Sequence, residues 1–177
     1  ERNTNAFAAF AHNRLLYGDF TITPGLRYEF IDVSRTDRRA GGNSGSESLQ
    51  GIIPSLAATY QVQEGTTVFA GMHRGFAPPR VEDIIQTGLG PVPTFTNVGA
   101  ERSWNFELGT RSQVTRELGV QATYFRNNFQ RLISVGSIAG GGVNLSQGEA
   151  LFQGFELGGR YGHPSGLYST AAITWLP

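Results

Sequence analysis

The sequence predicts an all-β chain, an antiparallel β-meander of about eight consecutive strands. Three observations carry that prediction. Apolar and polar residues alternate with a period of two, most clearly where Trp104, Phe106 and Leu108 face one way and Ser103, Asn105, Glu107, Gly109 and Arg111 the other. Clusters of Gly, Pro, Asn, Asp and Ser separate the alternating runs. The connections themselves alternate between short and long.

The first strand is expected over residues 5–15, rich in Ala and Phe, with a short turn at 16–19. In the second, Phe20, Ile22, Leu26, Tyr28 and Phe30 share one face, and Thr21, Thr23, Gly25, Arg27 and Glu29 the other. Residues 37–50 are dominated by turn-forming and charged side chains and predict a solvated loop. The third strand spans 52–62, and Pro54 is expected near its start because proline cannot donate to a ladder. Gln63-Glu64-Gly65 turns the chain into the fourth strand, 66–75. Pro78-Pro79 stops pairing, and a long polar loop is expected from Arg80 to about Ala100. The fifth strand runs over 101–114, the sixth over 119–135, the seventh over 150–161 and the eighth over 167–175. Gly140-Gly-Gly142 marks a loop tip between the sixth and seventh.

Short connections follow the odd-numbered strands and long ones the even-numbered, so one rim carries tight turns and the other long loops. Outer-membrane barrels have this asymmetry, whereas a soluble sandwich has no reason to sort its loops. Tyr17, Phe20, Tyr60, Tyr161 and Tyr168 border the short turns, and Phe30, Trp104 and Trp175 lie toward the long loops, as two interfacial girdles would. Arg27, Glu29, Glu107, Arg111, Glu156 and Arg160 all fall opposite the aromatic face. A charge on a lipid-facing wall costs roughly 2–4 kcal/mol at mid-membrane, so the sorting is what such a wall requires. A soluble protein would instead bury the aromatic face against a second layer.

Composition agrees. There are 12 Phe, 6 Tyr and 2 Trp in a chain whose mean hydropathy is only −0.22, as a sheet with one apolar and one wet face requires. Fourteen basic residues balance 14 acidic ones, which argues against a nucleic-acid partner. The absence of cysteine excludes disulfides and thiolate metal sites. No apolar run approaches the 18 or so residues of a transmembrane helix. The chain opens at Glu1 without a leader pattern and stops at a strand end, so a fragment is expected.

Six motifs occur in order: Thr23-Pro-Gly-Leu-Arg-Tyr-Glu29, Ile53-Pro-Ser-Leu56, Phe69-Ala-Gly-Met-His-Arg-Gly-Phe-Ala-Pro-Pro79, Ser103-Trp-Asn-Phe-Glu-Leu-Gly-Thr-Arg111, Tyr124-Phe-Arg-Asn-Asn128 and Gln153-Gly-Phe-Glu-Leu157. Together they resemble the barrel of TonB-dependent outer-membrane receptors, in particular the ferric dicitrate and siderophore branch. The resemblance implies that residues 1–177 supply about eight strands of a larger transmembrane barrel of about 22 strands with a plugged lumen, without the plug or the C-terminal strands. It implies a bacterial outer-membrane location, uptake of a ferric chelate energised through TonB, and contact with outer-membrane lipid. Iron would travel as cargo on its chelator, with no resident cofactor and no protein metal site. Arg27, Glu107, Arg111, Glu156 and Arg160 would face the lumen and plug. His73, Arg74 and Arg80, at the mouth of the long loop, would contact an anionic chelate through charge-assisted hydrogen bonds.

Other assignments compete. Arg74 and Arg80 could pair with Glu82 and Asp83, and His12 and His163 are expected to be structural or solvated. No nucleophile–base pair stands out, so an enzyme is not expected. A passive eight-stranded membrane barrel and a soluble lipocalin-like barrel are the remaining alternatives.

Overall fold

Most of the chain forms one antiparallel sheet of nine strands. The computed structural model describes residues 1–36, 44–79, 85–86, 94–95, 99–134 and 145–177. Its strands are β1 (Arg2–His12), β2 (Leu15–Tyr17), β3 (Phe20–Thr36), β4 (Ser44–Gln63), β5 (Thr66–Ala77), β6 (Ile85–Gln86), β7 (Thr94–Phe95), β8 (Glu101–Gln113), β9 (Leu118–Ser134), β10 (Leu145–Gly162) and β11 (Tyr168–Trp175). Spatial order follows chain order, β1-β3-β4-β5-β8-β9-β10-β11, with β2 also pairing β3 and with β6–β7 a separate small hairpin. This is the predicted meander.

Prolines explain where the ladders break. His12 pairs Gly25 and Leu15 pairs Ile22, so Asn13 stands opposite Pro24. The Asn13 N–H donates to the Pro24 carbonyl at 3.1 Å, but Pro24 has no N–H to return. One missing bond therefore splits the expected first strand into β1 and β2. Pro54 acts the same way on β4. It lies in mid-strand, not near the start, because β4 already begins at Ser44. Pro54 pairs Leu26 on the β3 side, while the β4–β5 ladder starts only at Ser55, the next residue. The proline's missing donor thus falls where β4 parts from β5.

The expected solvated loop over 37–50 is corrected in the same region. Ser44–Gln50 continue β4, paired in unbroken register with Asp32, Val33 and their neighbours of β3. Propensity alone misses this extension, because the cross-strand ladder and the packing of Val33, Leu49 and Ala100 hold a segment whose own composition reads as turn. Residues 37–43 lie outside the described residues. The tight turns match expectation, with Gly18 and Gly65 at positive φ (56° and 76°), a conformation that only glycine adopts without strain.

Burial alternates strictly along β3 from Phe20 to Phe30 and ceases beyond it. Those residues match the nine to eleven that a tilted strand needs to cross a bilayer. β4, at 20 residues, is about 65 Å long at roughly 3.3 Å per residue, so the β3–β4 hairpin projects well past such a band. Nothing covers the aromatic face among the described residues. Leu108 and Leu157 are 55% and 57% exposed, and no large side chain is fully buried. Each such side chain forfeits roughly 1.5–3 kcal/mol if left in water, so this face is built for an apolar medium. No helix of the described residues is long and apolar enough to cross a membrane.

Candidate functional site: the polar face of the sheet

Residues directly opposite in adjacent strands share a face, so the register assigns every side chain. Arg27, Glu107, Arg111, Glu156 and Arg160 fall on one face, together with Glu29. Phe20, Tyr60, Met72, Phe106, Leu108, Tyr124, Phe155 and Trp175 fall on the other, where Phe20–Tyr60 and Tyr124–Phe155 ring centroids stand 4.4 and 5.2 Å apart.

The polar face is organised in rows across the strands. Ser55, His73, Asn105, Asn127 and Phe152 form one row through β4, β5, β8, β9 and β10. Within it Asn105 Nδ2 lies 3.2 Å from His73 Nε2 and donates to Ser103 Oγ at 3.1 Å. The row is uncharged apart from any proton on His73. Charge gathers elsewhere. Arg27 Nε donates to Glu29 Oε1 at 2.6 Å, two residues along the same strand. Toward the short turns, Arg111 Nε donates to Gln121 Oε1 at 3.0 Å, and its guanidinium carbon lies 5.9 Å from the centre of the Phe69 ring. Arg160 Nη2 donates to Gln113 Oε1 at 3.0 Å. An open concavity of about 710 Å³ lies here, lined by Arg111, Gln121, Thr123, Glu156, Arg160 and Tyr168 among others.

Among the described residues, neither Glu107 nor Glu156 accepts a hydrogen bond or pairs with a cation, and both arginines are held by neutral glutamines. These charges are positioned but not neutralised within the wall. Phe69 lies across Gly109, where a Cβ would come within 2.4 Å of its ring, and Phe125 lies across Gly154 at 3.0 Å. Both rings lie low against the sheet, leaving the polar groups standing proud of it.

His73 and Arg74, expected to act together, are separated. Consecutive strand residues point to opposite faces; His73 joins Asn105 on the polar face, while Arg74 stands opposite Trp104 on the aromatic one. Arg80, with Glu82 and Asp83, lies outside the described residues. His163 Nδ1 hydrogen-bonds Ser165 Oγ at 2.7 Å within the last turn, and His12 stacks on Phe10 at 6.1 Å. No cluster of three His, Asp or Glu that could hold a metal occurs among the described residues.

Glu47 was not anticipated. It sits on the extended part of β4 opposite Val33, outside the apolar band, and is buried beside Leu49 and Ala100. Neither of its carboxylate oxygens is hydrogen-bonded. Burial pushes its carboxyl above the usual range, and the nearby Gly99 backbone, short of hydrogen-bond geometry, pulls it partly back. Its cross-strand partner Val33 and the Gly99 backbone come to it from other parts of the chain, so local sequence carried no signal for its burial.

The model of the family described as TonB dependent receptor-like, beta-barrel, matches residues 1–176. The chain belongs to this family. Solved structures agree at the level of fold. The ferric citrate transporter FecA superposes with a TM-score of 0.73 at 22% identity, over 98% of this chain and 26% of that one. The siderophore receptor PiuA from Acinetobacter baumannii gives 0.78 at 15%, over 99% and 26%. The copper transporter OprC gives 0.73 at 16%, over 98% and 29%. The chain therefore spans little more than a quarter of the length of these structures. The family is one of β-barrels, so the polar and aromatic faces of this sheet are the two sides of a barrel wall.

Proposed function

We propose that this chain is part of the barrel wall of a bacterial outer-membrane receptor that takes up a ferric chelate, energised through TonB. The observation that carries the reading is the unneutralised inner wall. Glu107, Glu156, Arg111 and Arg160 are oriented on a face whose reverse is apolar, and they remain available to a charged partner inside the barrel. A plug domain is such a partner. Iron is the proposed cargo because FecA is a ferric citrate transporter and PiuA a siderophore receptor. OprC, a copper transporter, shares the fold, so the choice of cargo lies in side chains and not in the barrel. His73, in its hydrogen-bonded row, and Arg80, which follows Pro78-Pro79 in the sequence, are the proposed contacts for an anionic chelate.

β1 and β11 are the two edges of the sheet and do not pair with each other. A passive eight-stranded barrel would join them, so a larger barrel is favoured over that alternative.

The test is uptake of radiolabelled ferric citrate by cells expressing the full-length receptor, with and without functional TonB. Loss of accumulation without TonB supports the proposal; equal accumulation in both strains would mean passive passage. His73→Ala and Arg80→Ala should weaken binding of an anionic chelate more than of a neutral one, and an equal loss for both would remove the electrostatic assignment.

A further inference from the structure

The outer face is free of charge between its rims but not at the long-loop rim. Arg74 on β5 stands opposite Trp104, Arg126 on β9 opposite Phe106, and Arg102 on β8 two residues before Trp104 and opposite Phe76. Trp104 therefore has one arginine directly across, one on its own strand and one on the diagonal of the next strand, at spacings of about 5–8 Å. Arg126 Nε donates to Asn128 Oδ1 at 3.2 Å, while Arg74 and Arg102 make no hydrogen bond among the described residues. Among the described residues no carboxylate pairs with the trio. Asp32, on the same face but two strands from Arg74, accepts from Ser48 Oγ on the adjacent strand, and Glu149 on β10 forms no ion pair among the described residues.

The position is informative. Met72, Phe106, Leu108 and Tyr124 continue the apolar band toward the short turns, so the trio marks where that band ends. Arginine costs roughly 2–4 kcal/mol at the bilayer midplane but only about 0–1 near the interface, and an indole favours the same level. Unpaired guanidinium groups at headgroup depth match phosphate oxygens, which they bind bidentately. They cannot reach a ligand inside the barrel, because the sheet lies between.

We propose that Arg74, Arg102 and Arg126, arranged around Trp104, bind the phosphorylated headgroup of an anionic lipid in the leaflet at the long-loop rim. This rests on the membrane-barrel reading above, and the test separates the two. Full-length receptor in detergent is titrated with lipid A, with dephosphorylated lipid A and with inorganic phosphate, and bound lipid is read by native mass spectrometry. Binding of the phosphorylated lipid should be about tenfold or more tighter than that of the dephosphorylated one. The combined Arg74→Gln, Arg102→Gln, Arg126→Gln variant should lose that preference, and Arg27→Gln with Arg111→Gln on the inner face should retain it. Equal binding of both lipids, an unchanged preference in the triple variant, or displacement of lipid by equimolar inorganic phosphate would overturn the proposal. Should the triple variant not fold, the two lipids compared on the native receptor still decide. In parallel, a spin label at Leu108→Cys reports its surroundings in a lipid bilayer. A label in hydrocarbon with no phosphate preference removes the headgroup site alone; a label in water removes the membrane reading as well.

Discussion

Glu107 and Leu108 are neighbours in the chain and lie on opposite faces of the sheet. The carboxylate points to the polar face, where it is unpaired among the described residues; the leucine points to the aromatic face, half exposed and flanked by Ala70 and Tyr124 in adjacent strands. Nothing in the local backbone distinguishes them except the pleat. The lesson of the two faces is that one sheet can lack a conventional core and still be highly specified, because a one-residue slip would move the charges of the polar face onto the apolar side.

The sharpest way to break the comparison is to move a charge across it. Leu108→Arg should destabilise the full-length barrel by about 2–4 kcal/mol in urea unfolding from lipid vesicles, whereas Glu107→Gln should change little. Equal effects would mean that the two faces are not differently solvated. Next in size is Gly109→Ala. A Cβ there would stand 2.4 Å from the Phe69 ring and 2.6 Å from the Ala122 carbonyl oxygen, which cannot swing away. A loss of about 1–3 kcal/mol is expected by the same unfolding assay, while Gly158→Ala, with open space around it, should be nearly neutral.

Glu47 sharpens the contrast between the membrane band and the hairpin beyond it. A carboxyl raised in the folded state holds its proton above the pH at which the unfolded chain, near 4.5, loses it. The contribution of Glu47 to stability is therefore greatest at acid pH and falls as pH rises from about 4.5 through the folded value. Glu47→Gln should flatten that slope and raise the neutral-pH melting temperature; an unchanged slope would show that the carboxylate is solvated. The smallest effect belongs to Arg27→Gln. Its ion pair with Glu29 is partly exposed, with side-chain accessibilities of 43% and 20%, and should be worth about 0–1 kcal/mol in a double-mutant cycle.

Much of the inner wall was legible in the sequence because period-two alternation needs no tertiary knowledge. Arg27, Glu107, Arg111, Glu156 and Arg160 could be assigned to one face by counting, and the register agrees. The same counting, carried two residues past Trp104 and Tyr124, places Arg102 and Arg126 on the outer face; the signal was present but lay beyond the apolar runs that drew attention. His73 and Arg74, adjacent in the chain, fall on opposite faces because consecutive strand residues alternate across the pleat. Ser44–Gln50 failed for another reason, since turn-forming composition describes what a segment does alone and not what a paired neighbour imposes on it.

By itself, then, the sequence determined the antiparallel meander, the division into a wet and an apolar face, the tight turns at Gly18 and Gly65, and the family, because all of these follow from local periodicity and motif order. Only the tertiary structure decided where the ladders break, how far β3 and β4 project, that Gln113 and Gln121 hold the inner arginines, and that Glu47 is buried without a partner. Those depend on which strand lies beside which and in what register, a non-local choice made when the backbone hydrogen bonds are satisfied across the sheet.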